Sequence, residues 1–398
     1  MEECLDQVTY SPRRWLVLIG TMLCQMGFGS IYTWSLFNAP LGQAHGWAVE
    51  QVAFSFSISA LALAVGTLFS GNLQQTFGER KVAVACAIIL GAGLITAAHM
   101  TSLWALYLTA GLIVGMADGI GYMMTLTNCI KWFPDKKGMI SGFAIGAYGI
   151  GSFVFKYVNG YLLDSFGVME AFLYWGIITF VIILLGSFLL KDAPVPKAVD
   201  LADKGEGTHE FTRKELLRCP QAWLLFVAFT GSCLGGLYVI SIAKDVGMAM
   251  AGLTAAQAAT AIAIIALANT AARFVVGVVS DYLERTKIVA VMFWVMILSV
   301  ALILFKDLNY AWLLISIGGM AFAFGGNLSI FPVITSEFFG LRNSSKNYGL
   351  IYQGFGIGGI LGGLVANATG SMLPTFYLIL VFALAGSFIM MFITSPHR

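Results

Sequence analysis

The chain has 398 residues, of which 59% are hydrophobic and only 11% are charged, and its formal net charge is +2. Soluble domains carry about 25% charged residues, so this composition excludes a soluble globular protein and favours one embedded in a membrane. A net charge this small gives no reason to expect a nucleic-acid partner.

Twelve apolar runs follow one another along the chain, and each can cross a hydrocarbon core of about 30 Å as an α-helix. The first run is too long for a cleavable signal peptide, and a second run follows it, so we expect no cleaved leader. The pattern predicts an all-α membrane protein with spans near residues 15–38, 51–73, 82–99, 103–130, 139–163, 170–190, 221–245, 255–279, 288–305, 309–332, 347–369 and 373–394.

Lysine and arginine are unevenly distributed among the loops. All but four of these 22 residues fall in the N-terminal segment, the even-numbered loops or the C-terminal segment. Lys244 and Lys306 lie in the opposite loops, and Lys156 and Arg273 lie inside spans. Because positive residues concentrate on the cytoplasmic side, both termini are predicted to be cytoplasmic.

The six cysteines are scattered, and the chain has no CxxC motif or Cys/His cluster. We interpret them as small packing residues and expect no disulfide, metal or cofactor. They are Cys4, Cys24, Cys86, Cys129, Cys219 and Cys233.

The two halves of the chain resemble each other at an offset of about 206 residues. GSIY at 29–32 matches GGLY at 235–238, and YGIGS at 148–152 matches FGIGG at 355–359. A shared offset of this kind indicates a duplicated six-span unit. We predict an N-terminal six-helix bundle over 1–190, a cytoplasmic linker over 191–219 that needs no fold of its own, and a C-terminal bundle over 220–398.

Arg273 is the most informative residue, because it lies about 6 Å inside the span that ends near Gly277. A cation at the centre of a span costs at least about 2.5–3.5 kcal/mol, and such residues usually mark substrate paths. Asn269 lies four residues earlier on the same helix face. We expect the pair to bind an anion; a snorkelling arginine or a buried ion pair without a ligand are the alternatives.

Asp118 in span 4 and Lys156 in span 5 are also charged and intramembrane. One interpretation is a structural ion pair. A second makes Asp118 a proton-coupling site, with Lys156 stabilising its ionised form. A third makes Lys156 a second cation for the substrate.

Two loop sequences resemble the gating motif of major facilitator carriers. GNLQQTFGERK (71–81) matches the motif of loop 2–3, which normally has an aspartate where this chain has Gln75. GVVSDYLERTK (277–287) is its second copy and retains that aspartate. The gating residues implied by the resemblance are Gly71, Arg80, Lys81, Asp281 and Arg285.

Within that superfamily the chain resembles the oxalate/formate antiporter family, which is related to the proton-coupled monocarboxylate transporters. The resemblance rests on SIYTWSLFNAP (30–40), NCIKWFPDKKGMISG (128–142), NTAARF (269–274) and FPVITSEFFG (331–340). It implies a major facilitator fold of 12 helices in a bacterial inner membrane and a carrier of small carboxylates that works by alternating access.

The resemblance also assigns site residues. Arg273 matches the substrate-binding arginine of span 8. The oxalate carriers have a lysine at the position of Phe355, and the animal monocarboxylate carriers have an aspartate at the position of Asn269. An aromatic cage around the anion is implied for Tyr32, Trp34, Tyr122, Tyr148, Phe324 and Tyr352.

We therefore expect a secondary transporter in which Arg273 pairs with pyruvate, lactate or formate and a proton moves with the anion. Exchange of oxalate for formate, with Lys156 as second cation, is the first alternative; a receptor that binds a carboxylate without moving it is the second. An enzyme is not expected, because the chain shows no nucleophile–base pair or cofactor motif. The internal repeat makes a monomer sufficient.

Overall fold

The computed structural model describes residues 11–194, 209–251, 255–305 and 309–396, and these segments are helical without any strand. Its twelve main helices are labelled here in chain order. They are α1 (Arg13–Gly29), α2 (Val49–Phe77), α3 (Glu79–Ala98), α4 (Val114–Trp132), α5 (Lys137–Phe166), α6 (Val168–Leu189), α7 (Pro220–Ala251), α8 (Ala255–Val279), α9 (Arg285–Phe305), α10 (Tyr310–Phe339), α11 (Gln353–Thr369) and α12 (Leu373–Phe392).

The prediction of an all-α membrane protein with twelve spans is confirmed. Within the described segments, eleven helical stretches are long and apolar enough to cross a membrane, and the remaining helix, α8, contributes the shorter apolar stretch Ile264–Val279. Every span is helical because a backbone in hydrocarbon must satisfy its own hydrogen bonds.

Three spans depart from regular α-helix. After α1 the chain tightens into a 3₁₀ helix over Ser30–Leu36, so Tyr32 does not lie on a regular α-helical face. Leu103–Leu106 and a π-helical stretch over Tyr107–Ile113 precede α4. The eleventh span is divided at Tyr352 into Ser344–Ile351 and α11. Such irregularities inside helices often accompany functional sites.

The linker is only partly described, because residues 195–208 lie outside the described segments. Its end was predicted to need no fold but forms the short helix Arg213–Arg218. Thr212 and Glu215 make a capping box, in which Glu215 accepts the Thr212 N–H at 2.7 Å and the Thr212 hydroxyl at 2.8 Å. These two bonds hold the pKa of Glu215 below its ordinary value.

The chain divides into two compact units. Unit 1 comprises Met1–Asp135, Ala144–Gly207 and Arg342–Leu350, and unit 2 comprises Lys136–Phe143, Thr208–Leu341 and Ile351–Arg398. Within unit 1, α2 packs on α4, and α6 packs on α1 and α3; within unit 2, α10 packs on α8 and α9, and α7 packs on α11. The first turns of α5 and the segment 342–350 thus belong to the unit opposite to their sequence half.

The cysteines of the described segments are all free and buried, and Cys4 lies outside those segments. The same residues contain no cluster of three or more His, Cys, Asp or Glu side chains that could hold a metal ion.

Candidate functional site

Arg273 lies in unit 2 on α8, and its side chain is only 7% exposed. Its backbone is held on the α10 side, where the Ser329 hydroxyl donates to the Arg273 carbonyl at 3.1 Å. Asn269, also 7% exposed, donates from Nδ2 to the Ala321 carbonyl of α10 at 3.0 Å. Both residues are therefore enclosed by the surrounding helices rather than exposed at the protein surface.

The start of α5 passes very close to Arg273. A Cβ on Gly142 would run into the Arg273 carbonyl oxygen, and one on Gly277 would lie 2.9 Å from the Gly142 Cα. Phe143 and Phe274 pack beside this contact with ring centroids 5.5 Å apart. Paired glycines therefore allow α5 and α8 to approach closely at the level of the arginine.

In unit 2, the predicted cage residue Tyr352 lies against Phe355, the position at which the resemblance implies a lysine in the oxalate carriers. The Tyr352 and Phe355 rings stack with centroids 5.1 Å apart and an interplanar angle of 13°. Tyr352 also packs on Phe229 at 5.6 Å. Phe324 lies against α7, where a Cβ on Gly236 would overlap its ring.

The second set of predicted residues lies in unit 1 around Asp118. This aspartate is completely buried in α4, and its Oδ2 accepts a hydrogen bond from the Tyr148 hydroxyl at 3.0 Å. Its Oδ1 has no hydrogen-bond partner among the described residues. A buried carboxylate with one such bond is expensive to ionise, which suits a group that takes up and releases a proton.

Tyr148 is the centre of a group of three tyrosines. Its ring centroid lies 5.4 Å from that of Tyr32 and 5.5 Å from that of Tyr122, both nearly perpendicular. Tyr32 is 37% exposed, whereas Tyr122 and Tyr148 are buried. Gln25 fixes this part of α4 by donating to the Tyr122 carbonyl at 3.0 Å. All three tyrosines belong to the cage that the resemblance implies; their rings lie in contact, and Tyr148 bonds Asp118.

Glycines in α1 and α5 explain how Tyr148 reaches this position. A Cβ on Gly29 would run into the Tyr148 carbonyl oxygen, and one on Gly151 would run into the Met26 carbonyl. The two helices can touch backbone to backbone only because both residues lack side chains.

Lys156 does not pair with Asp118, so the first of the three interpretations, a structural ion pair, is not found among the described residues. Its side chain is exposed, and it makes no ion pair or hydrogen bond with the described residues. The reason is depth, because Lys156 lies eight residues, or about 12 Å, beyond Tyr148 along α5. The α5 residue at the same depth as Asp118 is therefore Tyr148.

Trp34 is placed away from the tyrosine group. It is buried in contact with Phe172 and Trp175, at centroid distances of 5.5 and 6.3 Å. Its Nε1 donates to the Val52 carbonyl at 3.4 Å. The structure thus gives Trp34 a packing position in the core of unit 1.

The second copy of the gating motif forms a charged network in unit 2. The two carboxylate oxygens of Asp281 accept the backbone N–H groups of Gly138 and Met139 at 2.7 and 2.8 Å. Arg285 bonds both Asp281 at 2.9 Å and Glu337 at 2.7 Å. Asp281 therefore caps the first turn of α5, whose free N–H groups favour a negative charge.

The first copy makes the corresponding contact in unit 1 with the neutral amide of Gln75 in place of a carboxylate. Gln75 accepts a hydrogen bond from Lys346 at 2.5 Å and donates to Asn343 at 3.5 Å. A Cβ on Gly71 would meet the same segment at Lys346. Two cations follow in this motif: Arg80 donates to the Phe188 and Leu190 carbonyls at the end of α6, and Lys81 is exposed.

Sequence reasoning missed two charged residues of this region, Glu79 and Lys131. Glu79 is completely buried at the start of α3, and Lys131 lies in the last turn of α4. The 206-residue offset could have identified both residues. It matches Glu79 with Arg285 and Lys131 with Glu337, so each position carries the opposite charge in the other half.

Comparison with known proteins gives a family match over most of the chain. The model of the Major Facilitator Superfamily matches residues 17–363. An uncharacterised MFS-type transporter, YhjX, of Escherichia coli is 44% identical over 351 residues, which cover 88% of this chain and 87% of that protein.

Two relatives have a stated activity. The oxalate:formate antiporter of Oxalobacter formigenes is 31% identical, covering 88% of this chain and 83% of its own. The bovine monocarboxylate transporter 13 is 24% identical over a match that covers 96% of this chain and 89% of that protein. Among solved structures, the proton:xylose symporter XylE superimposes with a TM-score of 0.74 over 95% of both chains, at 12% identity.

Proposed function

Because the chain belongs to the Major Facilitator Superfamily, and is thus a multi-pass membrane transporter rather than an enzyme, we propose that it carries a small monocarboxylate by alternating access. The substrate class is that of pyruvate, lactate or formate. The observation that carries the proposal is the buried guanidinium of Arg273 on α8.

Arginine suits this role because its planar fork donates two parallel hydrogen bonds to one carboxylate. Among the residues whose burial is described, Arg273 is the one buried cation, and one cation balances one negative charge, which favours a monocarboxylate over a dianion. The stacked rings of Tyr352 and Phe355 in the same unit offer apolar surface for a short carbon chain. The relationship to monocarboxylate carriers supports the same substrate class.

Proton coupling is proposed through Asp118. A proton that moves with the anion keeps the translocated load neutral, which avoids about 2.3 kcal/mol per charge for each 100 mV of opposing potential. Asp118 is buried, holds one hydrogen bond from Tyr148 and has a second oxygen without a partner in the described residues. Such a group can bind a proton without charging the apolar interior.

The coupling is tested by the variant Asp118→Asn in sealed proteoliposomes. Asparagine keeps the size of the side chain and its bond from Tyr148 but cannot exchange a proton. Accumulation of labelled pyruvate driven by an inward proton gradient should be lost, whereas exchange of internal for external pyruvate should persist. Gradient-driven accumulation equal to that of the wild type would exclude Asp118 as the proton carrier.

The second candidate is anion exchange of the oxalate/formate kind, and the exposed ammonium of Lys156 favours it. Lys156 has no acidic partner among the described residues and could pair with the second carboxylate of a dianion. If Lys156→Met removes oxalate binding while pyruvate binding is kept, the exchange mechanism is supported. The exchange mechanism would be excluded if the wild type and Lys156→Met bound pyruvate equally and neither bound oxalate.

The cellular setting belongs to the same proposal. We propose a bacterial inner-membrane location with both termini in the cytoplasm, two six-helix bundles over 1–190 and 220–398, and a functional monomer. The unequal distribution of lysine and arginine among the loops supports the orientation.

A further inference from the structure

Glu79, the first residue of α3, is an acid in an unusual position. Its side chain is completely buried, and both of its carboxylate oxygens lack a hydrogen-bond partner among the described residues. Its own backbone N–H donates to Asp192 at 3.1 and 3.2 Å. A carboxylate without partners is strongly disfavoured in an apolar interior, and this burial favours the protonated, neutral form of the side chain.

The internal repeat places Glu79 opposite Arg285 and places Lys131 opposite Glu337, both at the offset of 206 residues. In unit 2, Arg285 and Glu337 form an ion pair at 2.7 Å. The first half therefore carries the same pair of positions with the two charges exchanged. The structure of unit 1 nevertheless leaves the glutamate of this pair without a hydrogen bond.

Lys131 is directed towards another group. Its ammonium donates to the Arg342 carbonyl at 3.4 Å, at the start of the segment 342–350. That segment is docked on α2 within unit 1, through a Ser345–Ser70 hydrogen bond at 3.2 Å and the Lys346–Gln75 bond. The backbone positions of Lys131 and Glu79 correspond to those of Glu337 and Arg285, which are close enough to form an ion pair.

We propose that Glu79 and Lys131 form a proton-controlled switch that sets whether the segment 342–350 is docked. With a proton on Glu79, the Lys131 ammonium holds the Arg342 carbonyl and the segment is docked as observed. When the Glu79 O–H bond breaks and the proton passes to water, the new carboxylate attracts Lys131. The Lys131–Arg342 bond is then given up and the segment is released. This builds on the proposed function by giving the carrier a second proton site, one that acts on its conformation.

The other charged and titratable groups around Glu79 do not replace Lys131 as its partner. Asp192 is engaged by the Glu79 N–H, and the Arg80 guanidinium donates to carbonyls at the end of α6. Three thiols lie within electrostatic reach of Glu79, on α1, α3 and α4, and none supplies a positive charge: Cys24, Cys86 and Cys129.

The switch is tested by the alkylation rate of one cysteine on the docked segment. Ser345 is only 2% exposed, so Ser345→Cys, in the full chain with the six native cysteines replaced, reacts only when the segment is released. The rate is measured from about pH 5.5 to about pH 8 with and without Glu79→Gln, and the ratio of the two rates cancels the ionisation of the thiol. We expect this ratio to rise with pH, by up to about tenfold per unit, the limit for one proton.

Two further variants test the interpretation of the alkylation rates. Glu79→Arg combined with Lys131→Glu recreates the permanent pair of the second half, so the cysteine should react fast at every pH. Arg285→Gln, at the repeat-related position, should retain the pH dependence of the parent. A ratio that stays flat with pH, or slow reaction in the charge-exchanged protein, would overturn the switch.

The assay needs no substrate, so it separates the switch from the proposed function. A rising ratio in a protein that fails to transport pyruvate would keep the switch and remove the monocarboxylate proposal. A flat ratio in a protein that accumulates pyruvate would remove the switch and keep the monocarboxylate proposal.

Discussion

At the scale of single residues, charge is placed sparingly inside the described part of the chain, where the buried acidic and basic residues are Glu79, Asp118 and Arg273. Arg273 is buried on α8 beside an amide rather than a carboxylate, because position 269 is asparagine. The residue one turn earlier on the helix therefore contributes no negative charge. This is the property that an anion-binding site requires.

In the proposed site, Phe355 contributes no charge and Arg273 is the cation that pairs with the substrate. We predict that Phe355→Lys increases oxalate affinity about tenfold or more relative to pyruvate, because a hydrogen-bonded charge pair contributes about 1.5–3 kcal/mol. The measurement is calorimetric titration of the purified protein with both anions. Phe355→Met is the control, since it has a similar length without the charge and should change both affinities equally.

At the scale of helices, the glycines of α5 differ in what surrounds them. Gly142 faces the Arg273 carbonyl, whereas a Cβ on Gly160 would have no atom within 4 Å. Gly142→Ala should lower the free energy of unfolding by about 1–3 kcal/mol through overpacking. Gly160→Ala should raise it by about 0.5–1 kcal/mol through helix propensity. Thermal unfolding in detergent measures both, and equal shifts would contradict the close approach of α5 and α8.

The gating network should depend on the charge of Asp281. Asp281→Asn removes one of the two acceptors for the Gly138 and Met139 N–H groups and weakens the bond to Arg285. We predict that the free energy of unfolding falls by about 1–3 kcal/mol and that hydrogen exchange becomes faster at the first turn of α5. Asp135→Asn breaks an exposed pair with Arg14 and should cost at most about 1 kcal/mol. Comparable exchange rates in the two variants would count against the capping role.

At the scale of the whole molecule, the sequence predicts the number and order of the spans well, because an apolar run of sufficient length in a bilayer has one structure available to it. The irregular segments were not predicted, since hydropathy does not register a 3₁₀ turn around Tyr32 or a break at Tyr352. The ion-pair interpretation of Asp118, one of the three left open, is not found for a related reason. Opposite charges suggested Lys156, whereas the helical rise places Tyr148 at the right depth.

The residues of the gating regions show the same limit. Resemblance to a motif identified Asp281 and Arg285 but gave no role to Glu79, because the motif does not require an acid there. The unusual position of Glu79 becomes evident only when burial and hydrogen bonds are known. The sequence repeat alone nevertheless shows that the charges of Glu79 and Lys131 are exchanged relative to those of Arg285 and Glu337.

The measurement that tests the central claim most directly is uptake of labelled pyruvate into proteoliposomes under an inward proton gradient, for the wild type and for Arg273→Lys. Lysine keeps the charge and loses the planar fork, so we predict accumulation by the wild type and uptake reduced about tenfold or more in the variant. Arg14→Lys, at the cytoplasmic end of α1, is the matched control and should transport normally. Undiminished, gradient-driven accumulation by Arg273→Lys would contradict the assignment of this arginine to the substrate.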